Sequence, residues 1–261
     1  MNSMNQVNEP NRFLVDDLEV RIYASQVDLS ISVANEVNDY LRGVIDRQGF
    51  ARVILATGNS QIQFLDRLTQ LGGVDWGKVT LFHMDEYLGI DASHKASFRR
   101  YMKERVESKL KPQAFHYLEG DTLLPLDECA RYERLLKEFP IDLCCLGIGE
   151  NGHLAFNDPP VARFDDKMAV KLVKLDDACK MQQVREGHFA SLEAVPPYAL
   201  TLTIPALCEA KKMVCLCPET RKAKAVLAAL KQPISTDCPA SFLRRQSHAA
   251  LLLDQDSASL L

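Results

Sequence analysis

An apolar run that leads directly into a glycine-rich loop constrains the fold of this chain more than any other feature. Residues 141–146 read Ile-Asp-Leu-Cys-Cys-Leu, with almost no polar alternation, which is typical of a strand covered on both faces by helices. The loop at residues 147–160 contains Gly147, Gly149, Gly152 and His153 and ends in Asn-Asp-Pro-Pro. In open α/β sheets, ligands bind at the loops after the carboxyl ends of the strands. The sequence therefore predicts a binding site at this loop.

Short apolar runs and longer amphipathic segments alternate along most of the chain. The apolar runs predict strands at residues 20–23, 53–56, 79–84, 114–118, 141–146, 168–173, 199–204, 213–217 and 249–253. Helical spacing predicts helices over residues 33–45, 97–110, 126–139 and 219–230. This alternation is typical of a doubly wound, Rossmann-like α/β fold, with a largely parallel sheet and helices on both faces. We expect a single domain over residues 13–261, preceded by a disordered tail over residues 1–12.

The three glycines of the loop also match G-x-G-x-x-G, the pattern of dinucleotide-binding proteins. An acid that binds ribose would then lie at Asp176 or Asp177. That fold needs a helix that begins within the glycines, whereas Pro159 and Pro160 stop any helix after about one or two turns. The dinucleotide interpretation is therefore disfavoured.

The composition argues against several classes of protein. A net charge of −4 and a pI near 5.9 provide no basic field for nucleic acid. The apolar runs are far shorter than the roughly 18 residues of a membrane span, and the polar N-terminal residues lack the apolar centre of a signal peptide. The sequence predicts a cytoplasmic protein without a nucleic-acid or membrane partner, and it leaves self-association open.

The chain contains eight cysteines, but their pattern indicates neither disulfides nor a metal site. Cys144, Cys145, Cys215 and Cys217 lie inside apolar runs, and no C-x-x-C pair occurs. Free cysteine behaves as a small buried hydrophobe, so reduced thiols in the core are expected. No H-E-x-x-H motif occurs, and we predict neither a metal nor another cofactor.

A second loop follows the predicted strand at residues 53–56. It consists of Thr57, Gly58, Asn59 and Ser60 and precedes a segment of helical spacing. Glycine at such a place lets the backbone amides of a helix start approach an anion closely, which predicts a phosphate cradle. An ordinary glycine turn with a capping serine would show the same pattern.

Two adjacent carboxylates, Asp85 and Glu86, follow the predicted strand at residues 79–84. Adjacent residues on an extended chain point to opposite sides, so at most one of the two can easily face a cleft. A carboxylate that is shielded from water becomes a better base as its pKa rises, and this suits proton abstraction next to a carbonyl. A solvated acidic turn is the structural alternative.

The glycine-rich loop combines a histidine with a carboxylate, because Asp158 lies five residues after His153. Histidine titrates near neutral pH and can shuttle a proton if a carboxylate fixes its ring. Loops after parallel strands emerge at the same edge of a sheet. A phosphate cradle, a carboxylate base and a histidine shuttle would together form a site for a sugar phosphate.

These segments resemble the glucosamine-6-phosphate deaminase/isomerase family, whose superfamily includes 6-phosphogluconolactonase. The resemblance extends from about residue 20 to residue 254 and is carried chiefly by Met-Asp-Glu-Tyr at residues 84–87 and Gly-His-x-x-Phe-Asn at residues 152–157. A lactonase is expected to show Asp-Glu-Arg in the carboxylate loop and Gly-His-Thr-Ala-Ser in the histidine loop. Tyr87 and Leu-Ala-Phe-Asn at residues 154–157 favour the deaminase branch.

The resemblance implies conversion of an aminosugar 6-phosphate and water into a ketose 6-phosphate and ammonia, without a metal. His153, supported by Asp158, would open the pyranose ring, and Asp85 would move a proton from C2 to C1. The loop at residues 57–60, with Lys222 and Arg185, would bind the phosphate. Glu86 would belong to the substrate-binding residues.

Two positions of the histidine loop depart from the family pattern. Asn151 stands where many members carry Asp, so an amide that can orient His153 replaces a charged partner. Asp158 replaces the usual Glu and is one methylene shorter. A lactonase-type hydrolase and a non-catalytic sugar-phosphate sensor remain as alternatives, and the sequence does not specify which aminosugar epimer is used.

Overall fold

The computed structural model describes residues 9–261 of the chain. The strands of this part are β1 (Asn11–Val15), β2 (Leu18–Tyr23), β3 (Ala51–Leu55), β4 (Val79–His83), β5 (Asp85–Tyr87), β6 (Ala114–His116), β7 (Leu143–Leu146), β8 (Val170–Lys174), β9 (Tyr198–Leu202), β10 (Met213–Leu216) and β11 (Ala249–Asp254). The α-helices are α1 (Gln26–Gln48), α2 (Ile62–Leu68), α3 (Phe98–Met102), α4 (Ser108–Leu110), α5 (Pro125–Lys137), α6 (Asp177–Arg185), α7 (Ile204–Cys208) and α8 (Ala223–Lys231). None of these helices is both long enough and apolar enough to cross a membrane.

Eight strands form the main sheet, in the order β1-β2-β11-β10-β7-β3-β4-β6. β1 pairs with β2 in the antiparallel sense, and every other neighbouring pair is parallel. The predicted doubly wound, largely parallel α/β fold is therefore confirmed.

Apolar side chains cover both faces of the central strands. In β7, Cys144 and Leu146 pack into one core cluster, together with residues of α5 and α8. Leu143 and Cys145 pack into the other cluster, with residues of α1 and α2. A strand buried on both faces has no solvated side, so it shows a continuous apolar run instead of polar alternation. The four cysteines that the sequence placed in the core are buried there, as predicted.

A second, small sheet has the antiparallel order β5-β9-β8. The apolar runs at residues 168–173 and 199–204 predicted two of these strands but not their separation from the main sheet. Met84 alone separates the end of β4 from the start of β5, so the chain passes from one sheet to the other immediately before Asp85. Asp85 is therefore held by the edge of the small sheet, where it pairs with Thr201.

The predicted disordered tail over residues 1–12 is wrong at its last two positions. Asn11 and Arg12 belong to β1 and pair with Ile22 and Arg21 of β2. β1 is an edge strand with exposed side chains, so it lacks the apolar run by which the other strands of the main sheet were recognised. Residues 1–8 of that prediction lie outside the described residues.

Four neighbouring parallel strands end at the edge where the site lies. In sheet order they are β10, β7, β3 and β4. The chain continues from β3 to β4 and β6 on one side and from β7 to β10 and β11 on the other, so the strand order reverses between β3 and β7. Open α/β sheets bind ligands at such a switch point. The loops predicted to meet at one edge of the sheet do so.

Candidate active site

A cavity at the switch point is lined by all four loops and by α6 with the segment that follows it. The lining residues are Ala56, Thr57, Gly58, Asn59, Ser60, Met84, Asp85, Phe98, Gly147, Ile148, Gly149, His153, Ala155, Phe156, Gln182, Gln183, Glu186, His188, Arg221 and Lys222. Seven residues that the sequence predicted are among them: the four of the phosphate loop, Asp85, His153 and Lys222. Asn151 and Asp158 lie behind His153, while Glu86 and Arg185 do not line the cavity.

Asp85 presents a carboxylate without a partner to this cavity. It is 6% exposed, and its Oδ1 is buried without a hydrogen-bond partner among the described residues. Burial raises the pKa of Asp85 well above its usual range, and the nearby carboxylates of Glu86 and Asp158 raise it further. A carboxylate with a raised pKa and no hydrogen-bond partner is a strong proton acceptor.

Glu86 points away from the cavity, because adjacent residues of a strand face opposite sides. Its carboxylate accepts hydrogen bonds from the backbone N–H of Phe98 at 3.1 Å and of Arg99 at 2.9 Å, and from Ser97 Oγ at 2.7 Å. These donors belong to the start of α3, so Glu86 caps that helix. The prediction that Glu86 binds substrate is corrected: the residue is fully buried and supports the strand that carries Asp85.

His153, Asp158 and Asn151 form a connected group. His153 Nδ1 lies 2.9 Å from Asp158 Oδ1. Asn151 Nδ2 donates a hydrogen bond to the same oxygen at 2.9 Å, and Asn151 Oδ1 accepts one from the His153 backbone N–H at 3.1 Å. Burial opposes ionisation of Asp158, but the charge and hydrogen bonding of His153, with the bond from Asn151, lower the pKa of Asp158 overall. The short Asp158 therefore reaches the ring directly and stays ionised beside it.

The glycines of this loop make room for the histidine ring and not for a nucleotide. A Cβ atom on Gly149 would lie 2.2 Å from the ring of His153, so only a hydrogen atom fits there. Gly152 has a φ of 84°, which favours glycine at the turn before His153. Residues 147–169, all within the described part of the chain, contain turns and no helix. The dinucleotide interpretation is wrong.

The loop at residues 57–60 leads into the helical segment that contains α2. Gly58 has a φ of 103°, and a short 3₁₀ turn, Asn59–Gln61, precedes α2. Tyr101 Oη donates to the carbonyl oxygen of Gly58 at 3.0 Å and holds the loop in place. The N–H groups at the start of a helical segment lack partners within it and can bind an anion.

Lys222 supplies a positive charge to the cavity. It is 4% exposed, and its ammonium group forms no ion pair within residues 9–261. Burial lowers the pKa of Lys222. The neighbouring Arg221 also lines the cavity, but its guanidinium group is paired with Glu186, Glu219 and Glu150. Lys222 is therefore the better placed of the two to bind an incoming anion.

Arg185 does not take the position that the sequence assigned to it. It lies in the last turn of α6, its side chain is 54% exposed, and it pairs with Glu150 outside the cavity. The prediction that Arg185 binds phosphate is corrected, because its side of the helix faces solvent. The sequence did not assign Arg221 to the cavity, although its position next to Lys222 was a signal.

The residues of α6 that do line the cavity, Gln182 and Gln183, were not predicted. Gln182 connects α6 to the histidine loop: its Oε1 accepts from the Glu150 backbone N–H at 3.1 Å, and its Nε2 donates to Glu186 Oε1 at 2.9 Å. Burial raises the pKa of Glu186, but hydrogen bonding with His188 and Arg221 outweighs it and lowers the pKa to about 2. α6 follows β8 of the small sheet, so no strand end of the main sheet marks it in the sequence.

One group of potential metal ligands lies behind the histidine. His153, Asp158 and Cys179 offer one ligand atom each, all within 4.8 Å of one another, and no other group of three occurs among the described residues. Burial raises the pKa of Cys179 well above its usual range, and Asp158 raises it further, so this thiol stays protonated. Nitrogen, oxygen and sulfur together form a donor set that zinc accepts. The absence of a metal from the reaction stays a prediction.

Comparisons with known proteins identify the family of this chain. Residues 24–252 match the family model described as glucosamine-6-phosphate isomerases/6-phosphogluconolactonase. The chain is 36% identical over 207 residues to a glucosamine-6-phosphate deaminase of Exiguobacterium sibiricum, covering 79% of this chain and 80% of that protein. It is 35% identical to one of Listeria monocytogenes, covering 79% and 86%.

Solved structures show the same likeness. A monomeric glucosamine-6-phosphate deaminase superimposes with a TM-score of 0.85 at 29% identity, over 93% of this chain and 99% of that one. A 6-phosphogluconolactonase from Shewanella baltica gives a TM-score of 0.76 at 15% identity, over 93% and 100%, and shares the fold. The chain belongs to the glucosamine-6-phosphate isomerase/6-phosphogluconolactonase family.

Proposed function

We propose that the protein is a glucosamine-6-phosphate deaminase, which converts glucosamine 6-phosphate and water into fructose 6-phosphate and ammonia. The observation that carries the proposal is the buried, unpaired carboxylate of Asp85 in the same cavity as His153. A base and a separate proton shuttle are what an aldose–ketose isomerisation requires. The deaminase relatives support this choice within the family.

The first step is the opening of the pyranose ring. His153 takes the proton of the C1 hydroxyl and delivers it to the ring oxygen as the bond between C1 and that oxygen breaks. The aldehyde at C1 is the product of this step. Asp158 and Asn151 keep the imidazole in place, and the ionised Asp158 stabilises the imidazolium that forms in between.

The second step moves a hydrogen from C2 to C1. Asp85 takes the C2 proton, and the electron pair of that bond forms the C1–C2 double bond of an enolamine. The π electrons of the C1 carbonyl move to its oxygen, which takes a proton from the C2 ammonium group. Return of a proton to C1 gives an imine at C2. Water then adds to C2, and the carbon–nitrogen bond breaks to leave the ketone of fructose 6-phosphate and ammonia. The raised pKa of Asp85 suits a group that must both accept and return a proton.

The phosphate binds at the other loops of the cavity. The start of the helical segment at Gly58, Asn59 and Ser60 offers backbone N–H groups to the phosphate, and Thr57 lines the cavity beside them. Lys222 adds the charge that Arg221, already paired with three carboxylates, does not supply. Phosphate binding at this end places the sugar carbons toward Asp85 and His153.

A coupled ammonia-release assay tests the proposal on a small panel of sugar phosphates. We expect turnover of glucosamine 6-phosphate. The rate with its galacto epimer, compared with this rate, measures how strictly the aminosugar is selected. Hydrolysis of 6-phosphogluconolactone without release of ammonia from either aminosugar would establish the lactonase alternative instead. Tight binding of these compounds without any turnover would establish the sensor.

Several properties remain proposals from the sequence. They are the organisation of residues 13–261 as one domain, a cytoplasmic location, and activity without a metal or cofactor. Self-association stays open, and one deaminase of similar structure is described as monomeric. Size-exclusion chromatography with light scattering decides the oligomeric state.

A further inference from the structure

The side chain of Gln183 in α6 is held by a tyrosine hydroxyl group. Tyr87 Oη donates a hydrogen bond to Gln183 Oε1 at 2.6 Å. The ring of Tyr87 is fully buried and packs against Phe98, Phe156 and Phe189, with centroid distances of 5.0, 5.2 and 5.1 Å. The hydroxyl group is therefore fixed by an aromatic cluster, and it fixes the orientation of the Gln183 amide.

This bond leaves only the donor end of the amide free. Gln183 lines the cavity, and its Nε2 has no hydrogen-bond partner within residues 9–261. This nitrogen keeps some exposed surface, so an incoming group can reach it. In the adjacent Gln182, by contrast, both ends of the amide are bonded, to the Glu150 backbone and to Glu186. An amide Nε2 is a donor without a lone pair to offer. The cavity thus contains a fixed, neutral donor that the chemistry described above does not use.

The position of this donor relates it to the base and not to the phosphate. Asp85 and Tyr87 are two residues apart in β5, so their side chains lie on the same face of the strand. Gln183 is bonded to Tyr87 and therefore lies on the Asp85 side of the cavity. The phosphate-binding groups come from other strands, since the 57–60 loop follows β3 and Lys222 follows β10.

We propose that Gln183 is a specificity residue that contacts the substrate: its Nε2 donates a hydrogen bond to a hydroxyl or carbonyl oxygen of the sugar chain, and Tyr87 is the positioning residue that holds the amide in this orientation. The inference rests on the proposed function and deepens it. A protonated amine has no lone pair and cannot accept from Nε2. The amide therefore favours a pose in which an oxygen, and not the C2 ammonium group, faces α6.

Equilibrium binding of two probes, fructose 6-phosphate and inorganic phosphate, tests this inference without requiring turnover. Gln183→Leu keeps the side-chain volume and removes the donor. We expect it to weaken fructose 6-phosphate binding by about tenfold, as for loss of one buried hydrogen bond, and to leave inorganic phosphate binding unchanged. Gln70→Leu is the matched control, because Gln70 is exposed after α2 and should change neither affinity. Unchanged fructose 6-phosphate binding by Gln183→Leu overturns the inference.

A double-mutant cycle tests the part assigned to Tyr87. Tyr87→Phe keeps the aromatic packing and should weaken fructose 6-phosphate binding by about three- to tenfold, with no further loss when Gln183 is already leucine. An equal loss in both backgrounds would show that Tyr87 does not act through Gln183. If Gln183→Leu gives no folded protein, Tyr87→Phe alone decides, and wild-type affinity in that variant overturns the inference.

The two proposals fail separately in these measurements. A wild type that binds fructose 6-phosphate with the expected response to Gln183→Leu, but releases no ammonia, refutes the deaminase and leaves the specificity residue in place. A wild type that binds inorganic phosphate but not fructose 6-phosphate overturns the inference whatever its turnover. Ammonia release with wild-type kcat/KM in Gln183→Leu overturns the inference and keeps the deaminase.

Discussion

Replacing Asp85 with asparagine should stabilise the protein while it abolishes most of its activity. The wild-type carboxylate is buried, its Oδ1 has no hydrogen-bond partner among the described residues, and Glu86 and Asp158 are nearby. A buried polar group without a partner costs about 1–3 kcal/mol, and more if it is charged. Asparagine leaves an unpartnered polar group at this place but removes the charge. We expect Asp85→Asn to gain about 2 kcal/mol at neutral pH, which corresponds to a rise in Tm of about 4–8 °C for a chain of this size.

The stability gained by Asp85→Asn should depend on pH in a defined direction. The pKa of Asp85 is raised in the folded state, so wild-type stability is greatest below the unfolded pKa and falls as pH rises from that value through the folded pKa. Asparagine cannot ionise, and its advantage should therefore be larger at about pH 8 than at about pH 5.5. Thermal unfolding followed by circular dichroism at both pH values measures this difference.

A matched control is available in Asp254, a buried carboxylate whose oxygens are all bonded. Asp254 Oδ1 accepts from the Ser257 N–H at 2.8 Å, and both oxygens accept from the Glu219 N–H. Asp254→Asn should lose about 1–2 kcal/mol because it weakens these bonds. A destabilised Asp85→Asn, or a gain that does not change with pH, would refute the reasoning. The kcat of Asp85→Asn should fall by roughly 10²–10⁴, as for loss of a general base.

Three further predictions concern the other parts of the site. Gly149→Ala should lower kcat by about tenfold or more with a smaller effect on KM, because its Cβ would displace the His153 ring. Steady-state kinetics measure both constants, and a rise in KM as large as the fall in kcat would contradict this. Lys222→Met should raise KM by about tenfold or more, whereas the matched Arg185→Met should leave KM unchanged; similar values for the two variants would show that the phosphate is bound elsewhere. Dialysis against EDTA should leave ammonia release unchanged, and restoration of lost activity by zinc would reveal a metal at His153, Asp158 and Cys179.

The sequence could predict the parts of the site that depend on strand ends. A strand buried on both faces shows an unbroken apolar run, and the loop after it lies at a known edge of the sheet. The alternation rule also indicated that only one of Asp85 and Glu86 could face the cleft. It did not indicate which one, because the switch between sheets at Met84 sets the direction of β5. The substrate-binding role of Glu86 was assigned wrongly for this reason.

The sequence could not predict contacts that depend on tertiary placement. Arg185 and Gln183 lie two residues apart in α6, yet one faces solvent and the other faces the cavity. This helix has little amphipathic character, so no apolar stripe marks its inner side. Arg221 was overlooked because its pairing with Glu186 joins segments 35 residues apart. Such pairs are visible only after α6 has packed over the histidine loop.

A time course with glucosamine 6-phosphate tests the role of Asp85 directly, with the wild type and Asp85→Asn compared by NMR for the sugar and by a coupled assay for ammonia. We expect the wild type to form fructose 6-phosphate and ammonia in equal amounts, and Asp85→Asn, although folded and more stable, to form almost none. A wild type that leaves glucosamine 6-phosphate intact, or an Asp85→Asn variant that matches its rate, would show that Asp85 is not the base of an aminosugar-phosphate deaminase.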